Sequence, residues 1–122
     1  MIKRGWIVAM GLLAMVGLTG HAEAHARLKQ ASPAADSTVR TAPAEVIITF
    51  TEALEPKFSR LEVQDSQGAR VDQGNAQAVP GEPTRFAIAL KPLPAGVYRV
   101  IWRVVSVDTH RSEGSFQFIV AP

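Results

Sequence analysis

Apolar and polar residues alternate in short runs along most of this chain. Residues 45–50 place Val46, Ile48 and Phe50 on one side, as expected of extended backbone, whose successive side chains point to opposite faces. Leu61 and Val63 form a second such run, ending at the turn signal Asp65-Ser66-Gln67-Gly68, with residues 69–71 beyond it. Residues 84–90 alternate again with Phe86, Ile88 and Leu90 inward, and the proline-rich stretch 91–96 breaks the run. Residues 97–107 predict the longest strand. Tyr98, Val100, Trp102 and Val104 share one of its faces and Arg99 and Arg103 the other, the pattern of a sheet with one face on a core and one in water. Past Val104 the apolar residues Val105 and Val107 change side, which predicts a bulge or a change of sheet there. Residues 114–120 close the pattern with Phe116, Phe118 and Val120 inward, and residues 73–83 read as an exposed connection. Strands of this length and spacing predict an all-β fold, a single antiparallel Greek-key barrel or sandwich.

The first 24 residues do not fit this pattern. Lys3 and Arg4 precede an apolar run from Trp6 to Leu18, and Ala22-Glu23-Ala24 has the small residues of a cleavage site. Together they read as an export signal, residues 1–24, leaving a single domain over residues 25–122. The apolar run is shorter than the roughly 20 residues that span a bilayer, and no stop-transfer pattern follows, which disfavours an uncleaved anchor. A periplasmic location is expected.

Composition narrows the chemistry. There is no cysteine, so the exported domain rests on its packing rather than on disulfides. Removing Lys3, Arg4 and Glu23 from 13 basic and 11 acidic residues leaves a nearly neutral mature chain. It has no basic run or Arg-aromatic stripe of the kind that binds nucleic acid. All three methionines (Met1, Met10 and Met15) lie in the leader. The mature domain therefore lacks the soft sulfur donors that Cu(I) favours, and any metal site must use nitrogen and oxygen, which suit Cu(II).

Cleavage after Ala24 makes His25 the first residue. Its α-amine and imidazole Nδ1 would close a six-membered chelate ring. Both donors must lose protons, with unperturbed pKa values of about 7.7–8.0 and about 6.5, so binding would weaken as pH falls. Asp108 and His110 stand two apart in an extended segment and project to one side. An N/N/N/O set from these three residues is a reasonable Cu(II) site. Taken singly, Asp108 reads equally as a turn former and His110 as an exposed polar residue.

From His25 to Pro122 the chain resembles the CopC family of periplasmic copper-binding proteins. The resemblance is carried by His25-Ala26-Arg27-Leu28, residues 32–37 (Ser-Pro-Ala-Ala-Asp-Ser), Pro43-Ala44-Glu45-Val46, residues 50–56 (Phe-Thr-Glu-Ala-Leu-Glu-Pro), residues 93–98 (Leu-Pro-Ala-Gly-Val-Tyr), and the stretch from Trp102 to Phe118. It implies an immunoglobulin-like (cupredoxin-like) β fold that binds Cu(II) through His25, Asp108 and His110. Glu52 resembles the family's acidic residue after a long strand and would hydrogen-bond a ligand, although a solvated charge at a strand end explains it as well. Two residues depart from the pattern: Thr109 stands where the family often has glycine, and Arg111 where it often has proline. The family's methionine-rich Cu(I) loop has no counterpart, which implies the Cu(II)-only type.

The resemblance implies a monomeric, non-catalytic protein of copper homeostasis or resistance, with copper and an inner-membrane CopD-type transporter as partners. A copper-dependent lytic polysaccharide monooxygenase also uses an N-terminal histidine, but needs an open coordination position and a broad substrate surface. A metal-free immunoglobulin-like interaction module is the remaining alternative, favoured only if His25 is not the mature N-terminus.

Overall fold

The structure, a computed structural model, describes residues 26–122. The expected leader and His25 lie outside the described residues. Among the described residues no helix is long and apolar enough to cross a membrane.

Eight strands follow in order: β1 (Leu28–Ser32), β2 (Ser37–Val39), β3 (Glu45–Phe50), β4 (Arg60–Gln64), β5 (Gln77–Val79), β6 (Glu82–Ala89), β7 (Gly96–Val105) and β8 (Arg111–Val120). A short 3-10 turn, Pro56–Phe58, precedes β4. The strands form two four-stranded sheets, ordered β1-β3-β6-β5 and β2-β8-β7-β4. This is the immunoglobulin arrangement, with the first strand divided between the two sheets. The fold is a sandwich and not a closed barrel. One pairing corrects the antiparallel expectation: β2 runs parallel to β8, with Ser37 opposite Phe118.

The alternation read from the sequence is the core. Val46, Ile48 and Phe50 of β3, Phe86 and Ile88 of β6, and Tyr98, Val100, Trp102 and Val104 of β7 are all buried. Phe116, Phe118 and Val120 of β8 meet them, with Leu61 and Val63 of β4. The rings interlock: Tyr98 stacks on Phe118 with centroids 5.5 Å apart, and Phe50 meets Trp102 edge-on at 5.9 Å. The Tyr98 hydroxyl donates to the Pro94 carbonyl at 2.5 Å, pinning the corner where the chain crosses to β7, a device common in this fold.

Two expectations fail. Residues 73–83 are not a plain connection, because β5 and the first two residues of β6 lie within them, joined through Gly81 with φ +77°. Nor does β7 bulge or change sheet past Val104. Its pairing with β8 is unbroken from Gly96↔Val120 to Val105↔Arg111. The inward phase simply continues to Ser106, which is fully buried, so the apparent shift reflects a polar residue at a core position.

Asp72 is the main buried charge. Its side chain is 1% exposed and pairs with Arg70 at 2.8 Å. It also accepts the Val63 amide at 2.8 Å and the Gly74 amide at 2.9 Å, fastening the β4–β5 connection to β4. Burial alone would raise its pKa. The Arg70 guanidinium and the two amides outweigh burial and hold the carboxyl below the ordinary range.

Candidate metal centre

The hairpin between β7 and β8 carries two of the expected donors. Ser106 N–H donates to the His110 carbonyl at 2.9 Å, and Thr109 N–H returns to the Ser106 carbonyl at 2.8 Å. Thr109 has φ +70°. A three-residue loop whose last residue is left-handed is a standard way to join antiparallel strands, and glycine is favoured there. The tight loop brings Asp108 and His110 to one side, with Oδ1 and Nδ1 3.2 Å apart and both side chains nearly half exposed.

Ser106 holds this pair from beneath. Its buried hydroxyl donates to Asp108 Oδ1. That bond, and next the His110 imidazole, keeps the Asp108 carboxyl below its usual range, so it stays an anionic donor in mild acid. Sequence reading missed Ser106. The available signal was a serine in the inward phase of a strand, beside a D-x-H triplet.

The N-terminal segment is fastened next to the same hairpin. Ser112 Oγ, two residues after His110, donates to the Ala26 carbonyl at 2.7 Å. Arg27 and Thr51 exchange two bonds: Arg27 N–H to Thr51 Oγ1 at 3.0 Å, and Thr51 N–H to the Arg27 carbonyl at 2.9 Å. Ala26 itself is 2% exposed and packs in the core. From the other side, Val107 N–H donates to the Ala53 carbonyl at 3.0 Å, and Leu54 bridges to Ser106. Glu52 is half-buried in the bend between these ties, and it makes no hydrogen bond to Asp108 or His110.

The donor chemistry suits a borderline cation such as Cu(II): one ionised carboxylate and one imidazole, held at fixed spacing at the surface. Among the described residues no group of three or more His, Cys, Asp or Glu side chains could hold a metal. Two donors alone make an incomplete site. The described residues therefore fit Cu(II) only if further donors come from outside them, and Ala26, the residue after His25, is tied beside the pair.

Comparisons with known proteins agree with this architecture. The CopC domain family matches residues 28–121. Copper resistance protein C of Escherichia coli is 37% identical over 113 residues, covering 87% of this chain and 89% of its own. Copper transport protein CutJ of Bacillus subtilis is 36% identical over 119 residues, or 97% of this chain, which spans only 22% of that relative's length. Among solved structures, CopC from Methylosinus trichosporium OB3b superposes with a TM-score of 0.75 at 34% identity, covering 80% of this chain and 95% of that one. PcoC, a methionine-rich copper resistance protein from Escherichia coli, gives 0.69 at 38% identity, covering 80% and 99%. A match across nearly every strand, at this identity and with this two-sheet topology, means that the chain belongs to the CopC family.

Proposed function

We propose that the mature protein begins at His25 and is a periplasmic Cu(II)-binding protein that sequesters, buffers or delivers copper. The donors are the His25 amine and imidazole, the Asp108 carboxylate and the His110 imidazole. The observation that carries this reading is that one hairpin anchors both parts, Ser106 holding the Asp108–His110 pair and Ser112 holding Ala26. It is supported by relatives named for copper resistance and copper transport.

Copper is the cargo here, and the protein is a binder rather than an enzyme. The carboxylate offsets part of the ion's charge, and the loop holds the Asp108 and His110 side chains at short range before the metal arrives, reducing the ordering cost of capture. Copper competes with protons for the His25 amine, so affinity weakens as pH falls. The absence of methionine after Met15 favours Cu(II) over Cu(I) and sets the chain apart from its methionine-rich relative. Glu52, between the two ties, is placed in this reading to hydrogen-bond a ligand when copper is bound. The protein acts as a monomer and passes copper to an inner-membrane CopD-type transporter. The greater length of the Bacillus relative, named a copper transport protein, supports a link between this domain and transport.

Electron paramagnetic resonance of Cu(II)-loaded protein starting at His25 tests the ligand set. His110→Ala removes one nitrogen from the superhyperfine pattern and weakens binding by at least about tenfold. An unchanged spectrum and affinity would falsify the assignment.

A further inference from the structure

Beside the copper hairpin, the outer face of the second sheet carries a concentration of positive charge that the copper site does not use. Arg60 of β4 and Arg103 of β7 are direct cross-strand partners, and both are exposed. Like charges placed directly opposite on a sheet destabilise it. Lys57 and Arg111 extend the patch, lining with this pair one groove of about 820 Å3. Glu113 offsets part of the charge, 3.5 Å from Arg103. Among the described residues no carboxylate lies within ion-pair distance of Lys57, Arg60 or Arg111. In a nearly neutral domain this is a marked local excess. Phe58, 68% exposed, stands in the same groove.

We infer that this groove docks an acidic polypeptide segment of a protein partner, with its carboxylates on Arg60, Arg103 and Arg111 and an apolar side chain on Phe58. Three of the four cations are arginines, whose planar guanidinium groups match carboxylates in paired hydrogen bonds, whereas lysine acts as a point charge. Arginine and phenylalanine are also enriched in protein interfaces. The open groove, with Phe58 beside the arginines, admits an extended chain segment. Thr109 and Arg111, which flank His110, line the groove as well. A docked segment thus lies against the copper hairpin, where a receiving partner would need to be. That last link rests on the copper reading above; the docking surface does not.

The test uses metal-free protein starting at His25, labelled with 15N, and a blocked hexapeptide of alternating glutamate and leucine. Amide shifts are expected to cluster at Phe58, Arg60, Arg103 and Arg111. The paired variant Arg60→Gln, Arg103→Gln weakens binding by about tenfold or more, and so does raised salt. Cu(II) affinity and folding of that variant stay as in the parent. Equal binding of the glutamine version of the peptide, or shifts scattered elsewhere, overturns the inference. So does failure to bind peptide while the same arginines are needed to bind vesicles of phosphatidylglycerol, which identifies a membrane surface. Displacement of the peptide by inorganic phosphate at similar concentration also overturns it, in favour of a small-anion site. If the peptide binds as expected but copper does not, the docking surface stands and the copper reading falls.

Discussion

The hydroxyl of Ser112 donates a 2.7 Å hydrogen bond to the carbonyl of Ala26, 86 residues earlier in the chain. This bond joins the start of the domain to the strand that leaves the Asp108–His110 hairpin, so two distant segments share one anchor. Ser112→Ala should cost about 1 kcal/mol of stability and, on the proposed ligand set, lower Cu(II) affinity about tenfold, because Ala26 is no longer tied to the hairpin. Ser112→Thr, which keeps the hydroxyl, should restore both. Denaturant unfolding and competitive copper titration read the two effects separately.

Ser106 supports Asp108 from inside the core. Ser106→Ala leaves that carboxylate without its buried donor, so its pKa rises toward the ordinary value. Carboxyl-detected NMR titration of metal-free protein should show the Asp108 midpoint moving up relative to the parent. A midpoint that stays put would mean that the imidazole alone sets it.

Thr109 adopts φ +70°, a conformation that costs a β-branched residue about 1–2 kcal/mol. Glycine avoids that cost but loses more freedom on folding, so Thr109→Gly should gain about 0.5 kcal/mol net. Copper affinity should be unchanged, since the loop geometry is already the one glycine would adopt. Thermal unfolding at matched pH measures the gain.

Gly114 lies opposite Trp102, and a β-carbon there would overlap the indole ring. Gly114→Ala forces the ring to move within a packed core, at a cost of about 2 kcal/mol. Trp102 is the single tryptophan after residue 6, so its emission in the mature protein should report the displacement directly.

Asp72 gives the fold a pH dependence of defined sign. Its folded pKa lies below the unfolded value of about 3.9. The stabilisation it provides is complete above that value and is lost as pH falls through the lower, folded pKa. Asp72→Asn leaves the half-exposed Arg70 and the buried Val63 amide without their anionic partner, costing about 2 kcal/mol near neutrality. The gap between variant and parent should narrow below about pH 4. A gap that stayed constant into acid would show that Asp72 acts through shape and not charge.

How legible each part was in the sequence follows from what holds it. The inward residues of β3, β6, β7 and β8 were readable because each strand buries one face, and burial enforces a period of two. The short edge strands β1, β2 and β5 were not. Ser37–Val39 and Gln77–Val79 have three residues each, too few to show a period, and exist because β8 and β6 offer them backbone partners. The Asp108–His110 spacing pointed to a shared side through extended backbone; the two do meet, but the segment is a tight turn with Thr109 at φ +70°, so the reason was wrong. What the spacing could not show was Ser106 beneath them, because a polar residue in the inward phase looks like a break in the strand. The tie between Ala26 and Ser112 was equally hidden, since nothing local in either segment names the other.

In the proposed site, copper is held by a free N-terminus at His25 together with Asp108 and His110. The decisive measurement is Cu(II) titration of protein beginning at His25 against the same protein carrying one extra residue before His25. The extension converts the amine into an amide, and affinity should fall by at least about tenfold, equivalent to 1.4 kcal/mol. Equal affinity in the two proteins would mean that the amine is not a copper ligand.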